Sequence, residues 1–282
     1  MNTSKRKKLS VYVLTTSVIV CLSLLYYQTV PILVTAWNTN PDYSHGYIIP
    51  FISLYMIWYA LGHMTTSDIH PSNWGLIPLI LGVVIQVAAV VGSEHFLQGV
   101  SIIVVLWGLS FYLGGAKIAS RLVLPISYLI FMIPLPSIIW NKFSFILKLY
   151  ATDVAVYLLA LTGQIALMQE GNIIHLSVGS LEVADACSGL RSLISMLALG
   201  VLLAFISRYA LWKKYLLVFL AIPIAMAANI LRLMILVVLA DRYGISIAES
   251  FMHTLSGVLV FAVGFLLLIG VQSFLIFHYK HG

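Results

Sequence analysis

Three separate apolar stretches of this 282-residue sequence carry a thiol, a guanidinium and an imidazole: Cys187 in VADACSGLRSL, Arg232 in NILRLMILV and His253 in SFMHTLSG. A thiol nucleophile, a base to activate it and a fixed cation for a developing oxyanion are the parts that acyl transfer needs. Cys187 stands where a strand-like segment turns into a helix, with Ser188 and Gly189 leaving room for a backbone to approach. A helix N-terminus stabilises the thiolate, which is the nucleophilic form. A small buried residue at a tight turn accounts for Cys187 equally well on spacing alone. Arg232 lies about nine residues from the outer end of its apolar run, roughly 13 Å deep at 1.5 Å per residue. An Arg there costs at least about 2.5 kcal/mol and persists only with a partner or a wet cavity. Asn229, three residues earlier, shares its helix face, and the structural alternative pairs Arg232 with a carboxylate such as Asp185. Arg191, four residues after Cys187, is expected on the same face of the following helix, either holding thiolate or substrate carboxylate or snorkelling to the interface.

Other polar clusters carry less. Asp42-Tyr43-Ser44-His45-Gly46 precedes an apolar stretch and reads first as a turn with Ser44 as helix N-cap. Cys21 falls in the middle of the first apolar run, where it reads as a small filler, at a depth unlike that of Cys187, so no disulfide is expected. His175, Glu182 and Asp185 lack metal-ligand spacing. No phosphate-binding glycine loop, G-x-S-x-G elbow or H-E-x-x-H motif is present, and neither a metal nor an organic cofactor is expected.

The elements that must carry these residues follow from composition. Hydrophobic residues make up 61% of the chain and charged residues 9%, with a mean hydropathy of +1.05, whereas ordinary globular proteins are about 25% charged. So little polar surface excludes a soluble, disordered or disulfide-scaffolded protein, and the sequence reads as an all-α polytopic membrane protein. The net charge of +6 does not point to nucleic acid, because Lys and Arg form no stripe. The block Lys5-Arg6-Lys7-Lys8 reads as a cytoplasmic topology signal facing anionic lipid. Stretches near the ~20 residues a spanning helix needs fall at about 11–36, 45–62, 74–92, 96–115, 119–136, 189–207, 214–240 and 251–277, which predicts about eight transmembrane helices. The first resembles a signal peptide, but its apolar run is too long and more spans follow, so an uncleaved anchor is expected. A ninth stretch, 138–168, carries Lys142, Lys148 and Asp153 and is expected to lie along the membrane surface as an external amphipathic helix.

Charge arbitrates between the topologies. With eight spans and a cytoplasmic N-terminus, the inner side holds Lys5, Arg6, Lys7, Lys8, Lys117, Arg121, Arg208, Lys213, Lys214 and Lys280, ten of the 15 basic residues, and among the acidic residues only Asp68. A crossing at 138–168 would push Arg208, Lys213 and Lys214 outside, against the positive-inside rule. Both termini are then cytoplasmic, and Cys187, Arg232 and His253 share the outer leaflet. Before the sixth span, Asn172–Ser177, a Gly179-Ser180 turn and Leu181–Ala184 read as a short β-hairpin. The chain is read as one integral-membrane domain, 1–282.

On DYSHGYIIP at 42–50, VADACSGLRSL at 183–193, NILR at 229–232 and HTLSG around His253, the sequence resembles the exosortase/archaeosortase family, in the same order from about residue 37 to 265. That resemblance implies an eight-span membrane cysteine peptidase/transpeptidase. Its substrates would be exported proteins whose C-terminal tails carry a PEP-like motif, a transmembrane helix and a basic cluster. It matches Cys187 to the family's nucleophile, Arg232 to the Arg of N-x-x-R and His253 to the catalytic His. Arg191, Asn229, Ser188 and Gly189, with Tyr43, Ser44 and His45 of the D-Y-S-H-G hallmark, are then candidates for substrate binding or support. Some members carry an added C-terminal soluble domain; this sequence ends at Gly282 without one, so a separate supplier of any accompanying function is expected. The expected site is the multi-pass cell (inner) membrane with the active site facing the periplasm or exterior, and membrane lipid but no nucleic acid as partner. Two rival readings are a transporter, in which Arg232 binds an anion, and a non-catalytic assembly factor for surface polysaccharide export. The first predicts broken helices in paired repeats, which the sequence does not show; the second predicts tolerance of Cys187→Ala.

Overall fold

The computed structural model describes residues 3–62, 64–163, 168–208, 210–246 and 256–280. Contacts group the chain into two compact units, Met1–Pro136 and Ser137–Gly282.

In the first unit, α1 (Thr3–Leu25) and α2 (Thr29–Thr39) form the first apolar stretch, bent by 62° at the break between them. A helix broken within an apolar environment must find new partners for its backbone groups, and buried side chains supply them. Gln86 donates to the Leu25 carbonyl at 3.3 Å and to Thr29 Oγ1 at 2.8 Å, Thr29 donates to Gln98, and Ser101 donates to Gln86 Oε1 at 2.7 Å. Gln86 comes from α4 (Leu76–Val91), and Gln98 and Ser101 from α5 (His95–Gly114). These two helices pack closely, with Gly82 against Val105 and Gly108 against Leu79 leaving no space for a side chain at either glycine, the small-residue contact expected where apolar burial alone cannot join helices. Between α2 and α3 (Ile49–Leu61) lies a 3-10 turn, Pro41–Tyr47. The unit closes with α6 (Ala116–Ser127), which contains Pro125, and a 3-10 turn over Tyr128–Met132.

The second unit is built around α9 (Leu211–Tyr243), against which α7 (Ser137–Ala160), α8 (Leu190–Ile206) and α10 (Ser256–Lys280) all pack. A three-stranded antiparallel sheet joins α7 to α8: β1 (Met168–Glu170), β2 (Ile173–Leu176) and β3 (Gly179–Glu182), with Ile174 opposite Leu181. The expected hairpin is therefore present with its turn two residues earlier. Ser177-Val178 makes the turn, Gly179-Ser180 belongs to β3, and β1 adds a third strand. Alternation decides which face is inside: Ile174, Leu176 and Leu181 are buried, together with Val183. They cap an apolar cluster of Ala151, Ala155 and Leu159 from α7 and Leu233, Leu236, Val237 and Ala240 from α9.

By length and composition, Asn73–Val91, His95–Gly114, Ser137–Ala160 and Leu211–Tyr243 are each able to cross a membrane, and the bent pair α1–α2 brings the candidates to five. This is a multi-pass membrane protein, with fewer full-length candidate spans among the described residues than the eight apolar stretches predict. The 12- and 13-residue helices α6 and α3 fall short of ~20 residues. The apolar runs continue through 3-10 turns and prolines that hydropathy does not register. Most of the stretch 138–168, expected as an external amphipathic helix, is α7. It splits its polar residues between faces. Lys142 and Asp153 are exposed, Ser144, Lys148 and Thr152 are buried, and Phe143, Phe145, Ile146 and Tyr157 point outward.

Candidate active site

Cys187 closes a 3-10 turn, Asp185–Cys187, and its N–H donates to the Ala184 carbonyl at 2.8 Å. Gly189 then takes φ +80, and α8 starts only at Leu190. The continuous helix expected from Cys187 onward is thus interrupted by a left-handed residue, which glycine adopts without steric cost. In consequence the helical four-residue spacing does not apply between Cys187 and Arg191, which is exposed. Ser188 is buried, and its Oγ accepts from the Leu190 N–H at 3.4 Å, a capping role for the first turn of α8.

The Cys187 side chain is only 1% exposed and sits at the edge of the cluster under the sheet. Asn229 on α9 fixes its backbone: Nδ2 donates to the Cys187 carbonyl at 2.8 Å, and the residue is 2% exposed. A Cβ at position 189 would lie 2.7 Å from Cγ of Asn229. Gly189 is thus demanded twice, by backbone conformation and by the approach of Asn229. Asn229 Oδ1 has no hydrogen-bond partner among the described residues. With Ser188, Gly189, Tyr150 and Met226, Asn229 lines a cleft of ≈ 10 Å³, room for about one water molecule.

Arg232 follows Asn229 by three residues on α9, half-buried. The Asp185 carboxylate, considered as its partner, pairs instead with Lys148 of α7, Nζ to Oδ1 at 2.7 Å. Burial pushes the Cys187 thiol up, and the charges of Arg232 and then Lys148 pull it back part of the way. The depth expected for Arg232 also changes. The helix α9 has 33 residues, about 50 Å at 1.5 Å per residue, and exceeds a hydrocarbon core of about 30 Å. Counting back from an apolar end therefore does not fix how deep Arg232 sits. His253 lies outside the described residues.

In the first unit the Asp42–Gly46 block is a lock. The Leu135 N–H donates to the Tyr43 hydroxyl at 3.0 Å, and His45 Nε2–H donates to the Phe131 carbonyl at 3.0 Å, which fixes its tautomer. Gly46 lies directly against the Trp37 indole, whose Nε1–H donates to the Met132 carbonyl at 2.8 Å. Burial pushes the Tyr43 phenol up to about 12. Ser44 is not the cap expected of it: its Oγ donates to the Pro41 carbonyl, whereas Asn40 caps the turn by accepting from the Asp42 N–H. Cys21 is exposed on α1 rather than filling a core. Among the described residues no group of three or more His, Cys, Asp or Glu is arranged to hold a metal ion, and His175 instead contacts Ser180 and Glu170.

Sequence reading missed Lys148. It counted only as one more charge making 138–168 amphipathic, and nothing in one sequence pairs it with a residue 37 positions later. The signal was an isolated lysine amid aromatic and aliphatic neighbours. The family model described as transmembrane exosortase matches residues 37–270, which takes in the 42–50 block, Cys187, Asn229, Arg232 and position 253. Comparison with curated proteins and with solved structures finds no match.

Proposed function

Because the chain belongs to the transmembrane exosortase family, we propose that it is a membrane-embedded cysteine peptidase/transpeptidase that removes C-terminal sorting tails from exported proteins on the outer side of the cell membrane. The observation that carries the reading is the treatment of Cys187. A thiol under the influence of two cations has its carbonyl held by Asn229, across a glycine that no other residue can replace without strain. A filler cysteine needs none of this.

In the proposed reaction His253 takes the proton of the Cys187 thiol, the thiolate attacks the scissile carbonyl, and Arg232 stabilises the oxyanion. Collapse breaks the C–N bond, His253 protonates the departing amine, and a thioester remains on Cys187 until an acceptor amine or water takes the acyl group. The substrate's own tail helix docks laterally against the sixth to eighth spans, near α8 and α9. In the eight-span reading of the sequence ten of the 15 basic residues fall inside, and that bias supports an outward-facing site with α7 on the outer side. Lys148 and Thr152 on its protein-facing side support a role in the site rather than one in lipid contact.

Co-expression with an exported protein bearing a PEP-like motif, tail helix and basic cluster tests the reading. Tail loss with the wild type but not with a Cys187→Ala variant that inserts normally is the expected result; an added mass at the new C-terminus marks transfer, and its absence hydrolysis. Equal processing by both chains sinks the mechanism and returns the protein to a non-catalytic role in export.

A further inference from the structure

Building on the reading of Cys187 as nucleophile, we propose that Lys148 is a positioning residue for it: the Lys148–Asp185 ion pair clamps the Cys187 turn onto α7 and sets a second fixed cation, besides Arg232, against the thiol. The pair is lopsided. The Lys148 side chain is 9% exposed and that of Asp185 86% exposed, so the lysine is turned into the protein while its partner faces outward two residues before Cys187. A lysine on an apolar helix ordinarily extends along the surface and keeps its ammonium in water. Lys148 does the opposite, and its Nζ lies 5.8 Å from the Phe145 ring centroid on the same helix.

A buried charge is expensive and is retained where it serves a purpose. The charged groups around the thiol are Lys148 from α7, Asp185 from its own turn and Arg232 from α9; Arg191 of α8 and Glu182 of β3 are exposed. Of these, Arg232 and Lys148 act on the thiol in the direction that favours the thiolate, against its burial. The asymmetry of burial separates clamp from charge. Loss of Asp185 removes the clamp and leaves the cation, whereas loss of Lys148 removes both.

The test uses the full chain purified in lipid nanodiscs, in a Cys21→Ala background because Cys21 is exposed. Reaction of Cys187 with methyl methanethiosulfonate is followed by intact mass across neutral and alkaline pH. Lys148→Met is expected to react about tenfold more slowly at neutral pH, its profile moved about one pH unit to the alkaline side. Lys148→Arg should restore most of the rate, and Asp185→Asn should leave the midpoint at or below the wild-type value. An unchanged profile in Lys148→Met overturns the proposal. So does an equal upward shift in Lys148→Met and Asp185→Asn, which would reflect loosened packing, or a wild-type thiol that stays unreactive throughout. The readout needs no tail substrate: the expected profiles in a protein that cuts no tail would sink the peptidase reading while supporting the placement of Lys148.

Discussion

A methyl group at position 189 would have to accept φ +80 and a contact of 2.7 Å with Asn229. Strained backbone of this kind costs of order 1–3 kcal/mol, so Gly189→Ala is expected to cut tail processing by at least about tenfold, which corresponds to about 1.4 kcal/mol. Asn229→Ala alone removes the donor to the Cys187 carbonyl and should cost about 1–3 kcal/mol of stability. Because the two side chains compete for one space, the double variant should lose less than the sum of the singles. Thermal unfolding of the four proteins in one detergent checks this, and strict additivity would mean that the two positions act separately. At this scale the sequence was legible in part. Cys187, Arg232 and Asn229 stood out by type, and the structure brings them together within the second unit. That Gly189 separates turn from helix, so that α8 starts only at Leu190, depended on a single backbone angle that spacing does not encode.

At the scale of elements, the 3-10 turn Pro41–Tyr47 is held to the segment ending at Leu135 by the Tyr43 hydroxyl and the His45 ring. Tyr43→Phe leaves the Leu135 N–H without that acceptor, a loss of about 1–3 kcal/mol for a buried group. We expect a lower unfolding temperature and an unchanged pH dependence of Cys187 chemistry, since the charges that act on the thiol are those of Arg232 and Lys148. A shifted thiol profile in Tyr43→Phe would instead give the block a direct part in the reaction. Here the sequence conveyed less. It marked the block as a turn but assigned its cap to Ser44, because a cap is chosen by local backbone geometry and Asn40 was equally suited. The β-hairpin was readable from its alternation, yet its turn moved from Gly179-Ser180 to Ser177-Val178, as happens when the pattern of buried residues rather than the glycine fixes register. For α7 the sequence showed that polar residues recur, but single-sequence polarity does not say whether one faces water or a partner such as Asp185, as Lys148 does.

For the whole molecule, composition alone established a multi-pass membrane protein; the number of full-length spans was not legible, since short helices joined by 3-10 turns give the same hydropathy as one long helix. Topology is open to direct measurement. In a Cys21→Ala, Cys187→Ala background, a cysteine at Ser177 in the sheet turn should react with a membrane-impermeant maleimide from outside, and one at Lys213 only after permeabilisation. The reverse pattern would turn the site toward the cytoplasm and remove it from exported substrates. The proposed reaction passes through a covalent bond at Cys187. Purified protein in nanodiscs, incubated briefly with a tailed substrate, quenched in acid and digested, should yield a Cys187 peptide carrying the acylated substrate fragment, released by hydroxylamine as a thioester requires. A processed substrate whose acyl group never appears on Cys187, even when turnover is slowed by withholding acceptor amines, would contradict it.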